Sequence, residues 1–471
     1  MWNRLSDLFS FLQHPARTGK ILLGILLLAA LPRILLLSRI SEEDFYHNDG
    51  REYMEISRQL AAGNGFSLSY YRWHEVVPPD AASGKPHPDL ARTPLFPLLG
   101  AGLFFLPWNV TSSAKAVSLL VSLLAVFCVF LLGKELAGRG CGLWSALCFA
   151  VYPYAVYYAA SWSTENLFLI CLSLSFLFLL KTLHGRFCTL PWSGLFLGLA
   201  ALTRPTAVLL PFLFGMMLWL RFMVFGSLKW HRKNLRWFRP LPGRLWLSVC
   251  IFLLIFAMLL LPWMYRNRKV GGSWNPATYY DGYIFWLSFS PILLETYRTL
   301  DTPEYSGAVE KSWNKEHAER HEMLRKKGIT TFVAASEQWR EWGREQILRN
   351  PGDALYLVKE RFLHYWRMCP NLVMLKSWQI WLIRSYFTVI FLLALAGAAI
   401  LRRRLELLMP LLPVFFGMAI SVPFLFVLRF RFPFFAPYIC ILAGCALSCG
   451  LGRRIKKLNN QREKICNPEK E

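Results

Sequence analysis

Two carboxylates and a set of arginines are the residues in this sequence best suited to chemistry. Asp49 stands in HNDGREYMEISRQLAAGNGFS and Glu165 in SWSTENLFLI. The arginines are Arg92 in ARTP, Arg204 in LTRPT, and Arg429 and Arg431 in VLRFRFP. Two carboxylates at one surface can divide the work, one taking a proton from an acceptor nucleophile and the other orienting that acceptor. Arginine's planar fork suits phosphate oxygens, so the four arginines together point to an anionic headgroup. Arg266, Arg268 and Lys269 beside Trp263 form a further basic cluster.

Each residue also has a plainer reading. Asp49, or Asn48 before it, can cap the helix that follows, with Glu52 three residues on completing a capping box. Glu165 can be a first-turn acid favoured by the helix dipole, with Ser163 or Thr164 as cap. A single arginine at a helix end can simply snorkel to the membrane surface. Spacing alone leaves both readings open.

The elements that must position these residues are membrane helices. Of 471 residues, 55% are hydrophobic and 17% charged, against roughly 25% charged in a soluble domain. Several apolar runs reach the roughly 20 residues that span hydrocarbon as a helix, and no strand alternation suggests a barrel. The expected class is an all-α polytopic membrane protein. It has about ten spans, amphipathic helices beside the membrane and a long helical outer loop. The runs are 21–40, 113–132, 141–160, 166–183, 191–202, 206–220, 245–262, 378–401, 407–428 and 432–451. Three regions follow: a membrane module 1–262 whose first outer loop is 41–112, a large loop 263–378, and closing helices with a basic tail, 379–471.

The net charge is +24. In a soluble protein that would suggest nucleic acid. Here the bases flank the apolar runs, so they set topology and meet anionic headgroups, and no nucleic-acid partner is expected. Arg4, Arg17 and Lys20 put the N-terminus in the cytoplasm, and the first run is expected to remain as an anchor. The segment 93–108 is apolar but punctuated by Pro94, Pro97 and Pro107. If it crossed, the loop with Lys134 and Arg139 and the basic loop 221–244 would face outward, against the positive-inside bias. It therefore reads as an interfacial or re-entrant helix.

On this map both termini are cytoplasmic, and 23 of the 29 acids lie outside. Nine of them fall between Arg39 and Pro97: Glu42, Glu43, Asp44, Asp49, Glu52, Glu55, Glu75, Asp80 and Asp89. Asp49, Glu165 and all four arginines then share the outer side. Within that acidic stretch Tyr53, Ile56, Leu60 and Ala61 make one apolar face, so 50–62 reads as an amphipathic helix on the membrane, ended by Gly63 and Gly65.

Weaker signals add little. No phosphate-binding GxxxxGK[ST] loop occurs, so nothing points to ATP. Most of the 11 cysteines sit in apolar runs without metal-type spacing. His47 and His74 are lone histidines, Asn109 opens an NVT sequon in an apolar flank, and Gly138, Gly140 and Gly142 fit tight turning or helix packing.

The ordered set DGREYMEISRQLAAGNGFS, ARTPLFPLL, YPYAVYYAASWSTENLFL, GLFLGLAALTRPTAVLLP, PWMYRNRKVGG and RFRFPFFAP resembles the GT-C glycosyltransferases. The likeness is to the bacterial aminoarabinose-to-lipid-A transferase and protein O-mannosyltransferase kind. The resemblance implies an integral membrane enzyme that moves a sugar from a polyprenyl-phosphate carrier to a lipid, glycan or protein acceptor. Transfer would invert the anomeric carbon at the extracytoplasmic face of a bacterial inner membrane. It implies catalytic roles for Asp49 and Glu165 and donor-phosphate contacts for Arg92, Arg204, Arg429 and Arg431. His47, Arg51, Glu52, Tyr53 and Arg266 are expected around them. One departure stands out: where such enzymes carry a base three positions after the first acid, this chain has Glu52. No cofactor is required, and a divalent ion between Asp49, Glu165 and phosphate is the one metal option. The alternative reading is a transporter or flippase of a lipid-linked anion, although the acids lie in loops and no repeat is visible.

Overall fold

The computed structural model describes residues 15–47, 49–72, 75–77, 85–221, 243–369, 375–402, 408–424 and 428–466. Asn48, His74, Asp80, the basic run 222–242, Arg403 and Arg404 lie outside the described residues. Among those described, six helices are long and apolar enough to cross a membrane. They are Arg17–Arg39, Val110–Ala150, Glu165–Leu183, Gly243–Gly271, Ser377–Leu401 and Arg429–Cys449. Shorter apolar helices are Leu95–Phe105, Phe187–Ala201, Pro205–Trp219 and Pro410–Ser421. The chain is an integral membrane protein, helical because backbone groups in lipid must pair within their own segment. Among the described residues the only sheet is a two-residue antiparallel pair, Ser67–Leu68 against His87–Pro88.

Val110–Ala150 is a hairpin rather than a rod. Its backbone leaves the helical region at Ala137 and at Gly138, where φ is +86°, a value glycine adopts at no steric cost. A Cβ on Gly133 would sit 3.0 Å from the Cα of Gly142, and one on Gly142 would sit 2.6 Å from the Phe130 carbonyl oxygen. Nine residues along a straight helix would separate these positions by about 13 Å, so the two arms run back against each other. Small residues at 133, 142 and 145 allow that approach.

The expected run 141–160 is corrected here. Its helix stops at Ala150 and gives way to short turns, Pro153–Tyr157 and Tyr158–Ala160. Pro153 cannot donate to the ladder, so the helix ends before it. Arg33, fully buried in the first span, donates to the Ala150 carbonyl at 2.7 Å and to Ser122 Oγ at 2.8 Å. It thus serves a carbonyl that the broken helix leaves unpaired.

The segment 93–108 forms Leu95–Gly102 and a 3-10 turn to Phe105. Eleven residues rise only about 16 Å, half a hydrocarbon thickness, which agrees with a segment that does not cross. Asp49–Ala61 is the expected amphipathic helix. It buries Ile56 and sets Tyr53 beside Phe96 and Trp162, and Gly63 follows it at φ +82°.

The loop 263–378 folds into five helices, Asp281–Phe289, Pro291–Thr299, Tyr305–Lys326, Phe332–Arg349 and Pro351–Tyr365. The first four close on a largely aromatic core of Tyr283, Trp286, Ile292, Leu324, Trp339 and Trp342. Ser290 and Thr331 cap two of them by accepting from the backbone N–H groups of Leu293 and Ala334. Two arginines, Arg361 and Arg431, fasten this unit to the closing helices, and a third, Arg367, ties it together internally. Arg361 donates to the carbonyls of Ser288 and Pro423, Arg367 pairs with Asp301, and Arg431 donates to the carbonyls of Tyr365 and Arg367.

Candidate active site

Asp49 is the first residue of the Asp49–Ala61 helix, beside a glycine that must stay small. A Cβ on Gly50 would lie 3.0 Å from the Trp162 carbonyl oxygen, and Trp162 N–H donates to the Phe45 carbonyl at 2.9 Å. This close seam joins the loop carrying Asp49 to the one carrying Glu165, three residues past Trp162.

Arg92 is aimed by Asp89. The Asp89 carboxylate accepts the backbone N–H groups of Ala91 at 2.9 Å and Arg92 at 2.8 Å, a local turn that aspartate favours. Arg92 then donates to Asp49 Oδ1 at 2.6 Å and to Glu52 Oε2 at 2.9 Å. Its guanidinium lies over the Tyr53 and Tyr280 rings, 5.3 and 5.6 Å from their centroids, within cation–π range.

Arg204 precedes Pro205 and is extended, at φ −146° and ψ 131°, as a residue before proline must usually be. It donates to Glu165 Oε1 at 3.3 Å. The residues next to the two arginines tie their loops together: Thr93 Oγ1 donates to the Thr203 carbonyl at 2.7 Å, and Leu95 N–H to the Leu202 carbonyl at 2.9 Å.

Arg429, at the start of the last long helix, completes the arrangement. It donates to Asp49 Oδ2 and lies 3.4 Å from Glu165 Oε1. Asp49, Glu165, Arg92, Arg204 and Arg429 therefore form one continuous network, with Glu52 at its edge. Both acids stand in the first turn of their own helices, yet both Asp49 oxygens are taken by arginines and Glu165 accepts from Arg204, while Thr164 makes no side-chain cap bond.

Three carboxylates face three guanidinium groups. Burial by itself would raise the Asp49 carboxyl, but Arg92 and Arg429 outweigh it and hold the group well below the usual carboxylate range. In this state Asp49 is a permanent anion and a weak base. Arg429 lies between Asp49 and Glu165, where a divalent ion would have to sit. Among the described residues no group of three or more His, Cys, Asp or Glu side chains converges. With Arg429 in that place, these donors as folded do not fit a metal.

A second knot supports the first. Arg72, nearly fully buried, donates to Glu52 at 2.6 Å, to Glu75 at 2.6 Å, and to Asp89. It holds the two carboxylates that aim and flank Arg92. Sequence reasoning passed over Arg72. The available signal was that it is the only lysine or arginine between Arg58 and Lys85, in a stretch rich in acids.

Several expected neighbours lie elsewhere. Arg431 is buried against the carbonyls of Tyr365 and Arg367 and does not reach the network. Arg51 pairs with Glu43 at 2.7 Å on an exposed face, and His47 is exposed. Arg266 donates to the Phe66 carbonyl at 3.0 Å and stacks on Trp263. Glu52 and Tyr53 do touch Arg92.

Residues 87–263 match the family model of dolichyl-phosphate-mannose-protein mannosyltransferase. That match takes in Arg92, Glu165 and Arg204, and it covers a little over a third of the chain. No curated protein matches the sequence. Among solved structures, the oligosaccharyltransferase of Archaeoglobus fulgidus in its apo form is similar at a TM-score of 0.54 and 13% identity. The likeness covers 94% of this chain and 52% of that one. The same archaeal enzyme, AglB, in complex with an inhibitory peptide and a dolichol-phosphate gives 0.54 at 12% identity, over 94% and 52%. ArnT from Cupriavidus metallidurans bound to undecaprenyl phosphate gives 0.39 at 13% identity, over 92% and 78%. The chain spans about half the length of the oligosaccharyltransferase chains it matches. The protein thus has the fold of the GT-C membrane glycosyltransferases, and across 87–263 it carries the sequence pattern of the dolichyl-phosphate-mannose-protein mannosyltransferase family.

Proposed function

We propose that this protein is an inverting glycosyltransferase. It takes a sugar from a polyprenyl-phosphate carrier and passes it to a lipid, glycan or protein acceptor at the extracytoplasmic face of the membrane. The observation that carries this reading is the single network in which Arg92, Arg204 and Arg429 meet Asp49 and Glu165. A site with three guanidinium groups already gathered, each held by a carboxylate, is prepared for a phosphate. The phosphate supplies to the arginines the oxygens that Asp49 supplies in its absence.

That exchange resolves the weak basicity of Asp49. When the carrier phosphate draws Arg429 and Arg92 toward itself, Asp49 loses the charges that depress it, and burial then raises its proton affinity. The acceptor O–H or N–H gives its proton to Asp49 as the nucleophile forms its bond to the anomeric carbon. The bond between that carbon and the phosphate oxygen breaks on the opposite side, which inverts the centre. The leaving phosphate keeps the electron pair and is stabilised by Arg204 and Arg429, donors fixed in place before charge develops. Glu165 remains on Arg204 and orients both the arginine and the acceptor. The energy lies in the phosphoglycosyl bond, so no nucleotide is consumed. The dolichol-phosphate bound by AglB and the lipid-phosphate chemistry named by the matching family model support a carrier of this class.

The test is transfer from a panel of polyprenyl-phosphate sugars by the full chain in bilayer discs. Asp49→Asn is expected to abolish transfer while leaving carrier phosphate bound. Full activity in that variant would refute the role of Asp49. Movement of carrier across vesicles without any sugar transfer by the unmodified chain would replace this reading with transport.

A further inference from the structure

We propose that a cavity inside the 263–378 unit binds a neutral saccharide of the acceptor; this rests on the transferase reading. The cavity has a volume of about 390 Å³, within the roughly 300–1,000 Å³ of small-molecule sites. Val333, Ser336, Glu337 and Arg340 line one side. On the Phe332–Arg349 helix they recur at i, i+3, i+4 and i+7, so a single face is turned to the cavity. The opposite side is the turn after the Gly243–Gly271 helix. There Ser273 Oγ and Tyr279 OH share a hydrogen bond of 2.6 Å. That turn is shaped by a glycine, since a Cβ on Gly271 would meet the Tyr279 ring at 2.6 Å.

The lining decides the class of ligand. Val333 is its one aliphatic side chain, which leaves nothing for a lipid tail to bury against. Asp281 and Glu337 balance Arg340 and the Arg268 guanidinium that donates to the Gly272 carbonyl at the rim, so the walls carry no excess positive charge to draw phosphate. What remains is hydroxyl recognition, because carboxylates accept from sugar hydroxyls and guanidinium donates to them in charge-assisted bonds. Arg340 and Asp281 pair at 2.6 Å, but their side chains are 38% and 59% exposed. Such an ion pair is weak and can exchange one partner for a sugar hydroxyl at little cost.

The cavity and the charged network share a wall. Tyr279 lines the cavity, and its neighbour Tyr280 lies against Arg92. Tyr279 N–H donates to the Leu90 carbonyl at 2.9 Å, two residues before Arg92, and Ser336 Oγ donates to the Tyr279 carbonyl at 2.6 Å. An acceptor with its nucleophile at Asp49 would have its adjoining sugar beside Tyr279. The cavity thus selects glycosylated acceptors over bare lipids.

Saturation-transfer NMR on the full chain in bilayer discs tests this directly. The probes are methyl α-mannoside, methyl α-glucoside and N-acetylglucosamine, with inorganic phosphate as competitor. At least one sugar should show transfer that falls fivefold or more in Glu337→Gln and in Glu337→Gln/Arg340→Met. Transfer should persist in Asp49→Asn and in the presence of phosphate. Matching melting curves establish that the variants are folded. No transfer to any of the three sugars, undiminished transfer in the folded double variant, or displacement by phosphate would overturn the proposal. Loss of sugar transfer chemistry in Asp49→Asn is read separately, so the transferase reading can fail while saccharide binding stands, and the reverse.

Discussion

The guanidinium of Arg429 donates to the carboxylate of Asp49 across 380 positions of sequence, and the same group lies 3.4 Å from Glu165. A planar fork can serve two carboxylates at once, whereas an ammonium is a point charge. Arg429→Lys is therefore expected to fold but to lose about tenfold to a hundredfold in transfer rate, the worth of one charge-assisted hydrogen bond. Steady-state transfer assays check it. The companion expectation concerns stability: Asp49→Asn/Arg429→Gln should melt higher than Arg429→Gln alone, because the double variant leaves no uncompensated carboxylate.

Arg72 and Asp89 form the most enclosed ion pair near the site, with side chains 2% and 0% exposed. Burial favours the neutral forms, yet the Arg72 charge outweighs it and keeps the Asp89 carboxyl low. Asp89→Asn should cost about 1.5–3 kcal/mol, since the buried Arg72 loses one of its three charged acceptors and keeps Glu52 and Glu75. It should also misdirect Arg92 by weakening the turn over Ala91. Thermal unfolding in detergent, with carrier-phosphate binding measured alongside, separates the two effects.

His317 gives the 263–378 unit a dependence on pH. Burial lowers its pKa from 6.5 to about 4, against the opposing hydrogen bond to the Trp313 carbonyl. Nδ1–H donates to that carbonyl at 2.9 Å, and Nε2 accepts from Tyr283 OH at 2.9 Å. A proton on Nε2 would reverse the second bond and force the Tyr283 hydroxyl to turn from donor to acceptor. The unfolded imidazole takes up its proton near 6.5 and the folded one only near 4, so stability is full above about 7 and falls as pH drops through that window. Melting at pH 7.5 and pH 5 should show a smaller loss in His317→Gln than in the unmodified chain.

Arg431 separates positioning from phosphate contact. Arg431→Met leaves the carbonyls of Tyr365 and Arg367 without their donor, at about 1–3 kcal/mol for each group. The melting temperature should fall while carrier-phosphate affinity, measured below that temperature, holds. Arg204→Met should do the opposite, because its partner Glu165 sits in the network.

Arg92, Arg204 and Arg429 were readable from their place at one end of the apolar runs, where the positive-inside bias makes arginine unexpected. Arg431 passed the same test and lies elsewhere. It is two residues from Arg429 on a helix, and positions i and i+2 do not share a face. Arg72 escaped notice for a different reason. It sits in YYRWHE, a loop with no periodicity to say which way a side chain points. The run 141–160 was also misjudged in shape, since composition counts apolar residues and does not register that Pro153 halts the ladder. Hydropathy found the two arms of Val110–Ala150 as consecutive spans, and the packing of Gly133 on Gly142 adds how closely they approach.

The network is also sheltered from dissolved salt. Side-chain exposures of 1% at Glu165, 11% at Arg92, 12% at Arg204, 21% at Asp49 and 29% at Arg429 keep mobile ions at a distance, and enclosed pairs are screened far less than surface ones. Ionic strength should accordingly be a poor lever on this protein: chloride at high concentration has too few oxygens and the wrong shape to unseat Asp49. Only a ligand that carries its own negative oxygens into the gap can loosen the knot.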